Sequence, residues 1–152
     1  MKYKNKTTGE IAQFGGIPDD KWTPANKTEI NNDLLEKAKK AKKREINLQR
    51  DNNVNKPYKF VKNEKTYCLS RSIRNELAWL KFASKETAVP WITDENEIIE
   101  INKIEFKSIS IDLGDRYTNE FIQARLRKNI VDTLTDITAV KNYDITQIYI
   151  IK

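Results

Sequence analysis

The sequence predicts an α+β protein. A small N-terminal hairpin and a basic helical arm precede a domain ordered hairpin, helix, hairpin, long helix. Three observations predict it. Leu113, Tyr117, Phe121, Ile122, Leu126, Ile130, Val131, Leu134, Ile137 and Val140 recur at spacings of three and four, which lays one apolar stripe along a helix. Two short runs, Tyr58–Val61 and Thr66–Leu69, are rich in aromatic and β-branched residues and flank the turn pair Asn63-Glu64, the pattern of a hairpin. Residues 34–50, LLEKAKKAKKREINLQR, are strong helix formers with few apolar members among them.

In chain order, Lys2–Lys6 and Glu10–Phe14 flank Thr7-Thr8-Gly9, where glycine supplies the positive φ of a tight turn. Gly15, Gly16, Pro18 and Pro24 break the pattern, so residues 15–27 read as loop, with Trp22 plugging a local cluster. Asn32 or Asp33 is positioned to cap the basic helix, and Pro57 forbids its continuation. The first hairpin follows. Ser70 is a suitable N-cap for a helix over residues 71–84, with Ile73, Leu77 and Leu80 on its buried face and Trp79 and Phe82 beside them. Pro90 and Trp91 open the second hairpin around Asp94-Glu95-Asn96, and Trp91 is expected in the core. Asn102 and Glu105 form a capping box ahead of the long helix. Ile104, Phe106, Ile109, Ile111 and Leu113 also fit a period of two. Gly114 costs a helix about 1 kcal/mol relative to alanine. The cap and the continuing stripe favour the helix. The β-branched tail DITQIYIIK is expected to add a last strand. These readings divide the chain into residues 1–55, hairpin, loop and arm, and residues 56–152, the α+β domain.

Composition narrows the chemistry. Of 152 residues, 38% are hydrophobic and 33% charged, on the polar side for a globular chain. A single cysteine, Cys68, excludes an internal disulfide framework and a multi-cysteine zinc site. The absence of histidine removes the commonest general base and metal ligand. No apolar run reaches the ~20 residues of a membrane span, and MKYKNKTTGE lacks the apolar region of a secretory signal. The chain is expected in a cytoplasm and away from membranes.

The loudest charge feature is Lys37, Lys39, Lys40, Lys42, Lys43 and Arg44. Such a cluster can neutralise phosphates, but these cations point all round a helix and no nucleic-acid-binding signature accompanies them, so a solvated face is the preferred reading. Cys68 has no histidine to activate it and reads as a small buried hydrophobe. Asp94, Glu95 and Glu97 sit on a turn, where solvated acids are expected. Gly15-Gly16 is followed by no phosphate-loop lysine. The aromatic residues Tyr58, Phe60, Tyr67, Trp79, Phe82, Trp91, Phe106, Tyr117 and Phe121 read as core. No enzyme mechanism, metal or cofactor is expected.

Several landmarks follow one another in a characteristic order. A lysine- and alanine-rich helix ends in Arg44-Glu45-Ile46; a hairpin runs Phe60…Lys65-Thr66-Tyr67-Cys68-Leu69-Ser70; Val89-Pro90-Trp91 precedes an acidic turn; a long helix carries Tyr117, Arg125, Lys128, Ile130 and Thr133; and Tyr143-Asp144-Ile145 closes the series. Over residues 37–145 this resembles a group of bacteriophage and prophage tail proteins that share a domain of unknown function and are often encoded beside tail-fibre genes. The opening Tyr3…Thr8-Gly9-Glu10-Ile11 resembles the start of many such proteins. The chain departs from the pattern in having less alanine and in placing Gly114 inside the long helix.

The resemblance implies a structural or connector role in the virion tail, for a protein made in the host bacterial cytoplasm, and carries over no catalytic residue. The expected partners are other tail or tail-fibre proteins or a second copy of this chain. The alternatives are a tail-fibre assembly chaperone absent from the mature particle and, behind it, a nucleic-acid-binding protein. A charged helix with a thin apolar face awaits a partner, so Leu34, Leu35, Ala38, Ile46 and Leu48, with Trp22, are the candidate partner-binding residues.

Overall fold

A computed structural model describes residues 1–16, 18–69 and 88–150 of the chain, with Val89 by its backbone alone. The expected helix over residues 71–84, with Ile73, Leu77, Trp79, Leu80 and Phe82, lies outside the described residues. The fold is α+β, with small hairpin sheets and long helices. It packs as two units, one made of Met1–Asn47 with Arg125–Lys152, the other of Leu48–Ala124. The expected division at residue 55 groups the chain differently. Both long helices cross the boundary: α1 (Lys27–Val54) between Asn47 and Leu48, and α2 (Lys103–Thr133) between Ala124 and Arg125.

In the first unit, β1 (Lys2–Asn5) pairs antiparallel with β2 (Ile11–Gln13) across a turn in which Gly9 takes φ +73°, as the sequence requires. The Asn5 carboxamide accepts the Thr7 and Thr8 amides at 2.9 Å each and closes that turn. The expected loop over residues 15–27 contains a third strand, β3 (Trp22–Pro24), on the other edge of β1. Pro24 donates no hydrogen bond and is tolerated because β3 is an edge. Tyr3 and Ile11 are both buried, and the register sets them on opposite faces of the sheet. Phe14 packs edge-on between Tyr3 and Trp22, at ring distances of 5.9 and 4.8 Å.

Helix α1 begins earlier than expected. Asn26, not Asn32 or Asp33, caps it: its side chain accepts the Glu29 amide at 2.9 Å, and Glu29 returns the bond to the Asn26 amide at 3.1 Å. This reciprocal pair satisfies two amides that a bare helix end leaves open. Glu29 also accepts Lys4 Nζ at 2.8 Å, tying the helix start to β1. Ile46 is fully buried in the same unit, as are Val131 and Val140.

The long helix is shorter at its C-terminal end than its apolar stripe suggests. It stops at Thr133, and Asp136 caps a separate helix, α3 (Ile137–Asn142), by accepting the Ala139 amide at 2.7 Å. Ile137 and Val140 therefore belong to α3. The expected C-terminal strand does not form over residues 144–150. The Asp144 carboxylate instead holds both the amide and the hydroxyl of Thr146, at 2.8 and 2.7 Å, in a local turn. The Gln147 carbonyl accepts Arg127 Nε at 2.9 Å in place of a strand partner.

In the second unit, β4 (Tyr58–Lys62) and β5 (Lys65–Leu69) pair with Phe60 opposite Tyr67. Their two-residue turn, Asn63-Glu64, has φ of 51° and 62°, the left-handed pair that matches strand twist. The second hairpin, β6 (Val89–Ile92) and β7 (Ile98–Ile101), sets Trp91 opposite Ile99. Phe60, Leu69, Trp91, Ile99 and Ile101 form one core with Ile109 and Leu113 of α2, flanked by Tyr58, Tyr67 and Phe106. Trp91 is buried as expected, and burial of each large side chain contributes about 1.5–3 kcal/mol.

The acids of the second turn are not simply solvated. Glu95 accepts the Cys68 amide at 3.2 Å, the Cys68 carbonyl takes the Asp94 amide at 2.9 Å, and Glu97 pairs with Lys65. These contacts join the two hairpins. The Asn102–Glu105 capping box forms at 2.8 and 3.0 Å. Helix α2 then runs unbroken through Gly114, so the period-two alternative over Ile104–Leu113 does not hold.

Candidate protein-docking face

The six candidate partner-binding residues do not share a face. Ile46 is already covered within the chain, at 0% exposure. Leu35 and Ala38 are half-buried, and Trp22 is half-buried in the ring cluster with Phe14. Leu34 and Leu48 remain exposed, at 40% and 63%, the first in one unit and the second in the other. An arm waiting for a partner would leave Ile46 uncovered; here the arm's best apolar residue is spent inside.

The basic cluster is also partly committed. Lys39 Nζ donates to the Asp132 carbonyl at 2.9 Å, and Lys43 pairs with the Asp132 carboxylate. Lys37 pairs with Asp33 and Lys42 with Glu45 along the helix. Among the described residues, Lys40 and Arg44 have no ion-pair partner. Spread over a solvated helix, such pairs contribute little each.

A different surface, in the second unit, gathers the residue types that anchor protein interfaces. The Tyr117 and Phe121 rings stack at 4.3 Å and are 41% and 38% exposed. The Arg50 guanidinium lies 4.4 Å from the centre of the Phe121 ring. On the adjacent row of α2, Arg116 and Glu120 border an open depression of about 550 Å³, completed by Asn53, Lys56, Tyr58 and Lys59. Arg116 donates to the Lys56 carbonyl at 2.9 Å and sits 5.8 Å from the Tyr58 ring. The Asn53 amide donates to Glu120 at 3.2 Å. The Tyr58 hydroxyl donates to Asp112 at 2.5 Å. Burial, reinforced by that carboxylate, pushes the Tyr58 phenol up to about 12, so it stays a neutral donor.

Cys68 also borders the depression. A hydrogen bond to Glu95, helped by burial, raises its thiol above the ordinary value of 9.0, which opposes a nucleophilic role. Among the described residues, no three metal-ligating side chains come together and no helix is long and apolar enough to cross a membrane.

Periodicity alone places Tyr117 and Phe121 on the buried stripe. Two successive steps of four rotate about 80° beyond Leu113 on a helix of 3.6 residues per turn, and that drift carries both rings to the surface. The inward row instead runs Leu113, Arg116, Glu120, Ala124, Arg127, Val131. Its charged members hide it from a search for apolar residues. The rotation itself is the signal that finds it. Comparison of the chain with protein-family models, curated sequences and solved structures returns no match.

Proposed function

We propose that this chain is a non-enzymatic bacteriophage tail component that joins other tail proteins through protein–protein contacts. The supporting observation is the exposed Tyr117–Phe121 stack with Arg50 beside it. Aromatic and arginine side chains dominate binding energy at protein interfaces. The spaced landmarks over residues 37–145 add the resemblance to tail proteins.

The test is the composition of tails purified with and without the gene product, by mass spectrometry and negative-stain imaging. Tails made with the intact chain should retain it, and Phe121→Asp should sharply reduce its incorporation. Normal tails that lack the chain but need it for fibre attachment would make it an assembly chaperone. Normal, fibre-bearing tails in its complete absence would refute both roles.

A further inference from the structure

The depression beside the aromatic stack has a charge arrangement that the stack alone does not explain. Lys56 and Lys59 face it without an ion-pair partner among the described residues, and Arg116 lies at its edge. Three acids bonded to its surroundings are each occupied by a neutral donor: Glu120 takes the Asn53 amide, Asp112 the Tyr58 hydroxyl and Glu95 the Cys68 amide. Arg116 uses one N–H on the Lys56 carbonyl, which fixes its plane against Tyr58 and leaves its remaining donors for a ligand. We propose that this depression seats an acidic segment of the partner protein, with a carboxylate on Lys56, Lys59 and Arg116 and an apolar neighbour on Tyr117 and Phe121.

A carboxylate fits better than a polyphosphate. An arginine with a fixed plane recognises a planar carboxylate through two parallel hydrogen bonds. A chain of phosphates would also carry no apolar neighbour to set on the Tyr117 and Phe121 rings. The inference rests on the connector reading and adds to it the chemistry of the partner.

The full chain should bind a fluorescein-labelled octapeptide of alternating glutamate and leucine, measured by fluorescence anisotropy. Binding is expected to weaken at least tenfold in the Lys56→Gln/Lys59→Gln double variant, and at least tenfold when glutamine replaces glutamate in the peptide. Both lysines are exposed, so the variant should melt like the parent, and a melt confirms that it is folded. Arg116→Lys keeps the charge but loses the planar fork, and should also weaken binding.

Unchanged affinity in the double variant, or equal affinity for the glutamine peptide, would overturn the proposal. So would tighter, lysine-dependent binding of a single-stranded octanucleotide, which would make the depression a nucleic-acid groove. If tails incorporate the chain while the peptide fails to bind, the seat is refuted and the connector role stands. If the peptide binds through the lysines, the seat is supported even where no tail incorporates the chain.

Discussion

Replacing Gly114 by alanine should stabilise the protein. Gly114 lies in the interior of α2, and a Cβ built there meets nothing within 4 Å. The added methyl group therefore brings no clash and no new burial. What changes is the backbone freedom of the unfolded chain, which alanine restricts, so the helix gains about 1 kcal/mol. For a chain of this size that shifts the melting temperature upward by about 2–4 °C. Gly9 is the matched control. Its φ of +73° is one that L residues rarely adopt, and Gly9→Ala should cost about 1–2 kcal/mol. Far-UV circular dichroism melts of the parent and the two variants measure both. Urea titrations check that the slope with denaturant is unchanged and that the effect is one of stability. A fall in melting temperature for Gly114→Ala, or a rise for Gly9→Ala, would refute the reasoning, the first by showing that α2 is not a solvent-facing helix at that point.

Trp91→Ala empties the middle of the second unit's core and should cost about 3–5 kcal/mol; a melt unchanged from the parent would place Trp91 at the surface. Asn102→Ala removes one half of a formed capping box and should cost about 1 kcal/mol, whereas the same change at the exposed Asn129 should leave stability unaltered. The Lys4 ammonium, followed by the Asn26 amide, holds the Glu29 carboxyl below its ordinary value of 4.5. A lowered carboxylate pKa contributes stability that is present above the unfolded value and lost as pH falls towards the folded one. Lys4→Met should therefore flatten the melting curve against pH below about 4.5, and parallel curves for parent and variant would show that the pair contributes nothing. Cys68 should react slowly with iodoacetamide at mildly alkaline pH and faster in Glu95→Gln, because the carboxylate that raises its pKa is gone; an unchanged rate would exclude that carboxylate as the cause.

Local chemistry was legible where one residue type has one use. Gly9 with a positive φ, the Asn63-Glu64 turn, Trp91 in the core and the Asn102–Glu105 box could each be read from adjacent residues. Tertiary pairing was not. Trp22–Pro24 looks like loop because two prolines and two glycines surround it, and only its place on the free edge of β1 makes it a strand. The start of α1 is not legible in the periodicity because Lys27–Asp33 offers few apolar residues, while Asn26 and Glu29 cap it by hydrogen bonds. The tail has strand-like composition, but Asp144 and Arg127 satisfy its backbone in another way. The candidate face carries no single sequence pattern, because it mixes rings at core-like spacing with charges typical of a solvated surface.

The first unit draws on two pieces of chain separated by the whole of the second. Met1–Asn47 leaves the ribosome first, yet Asp132, which receives Lys39 and Lys43, is made only after residues 48–124. At about 5–20 residues per second that interval is roughly 4–15 s. At its end the second unit has all its own residues and the first does not. The N-terminal piece therefore waits without the Asp132 that receives Lys39 and Lys43. That delay makes the nascent chain, more than the finished protein, the state most in need of a chaperone.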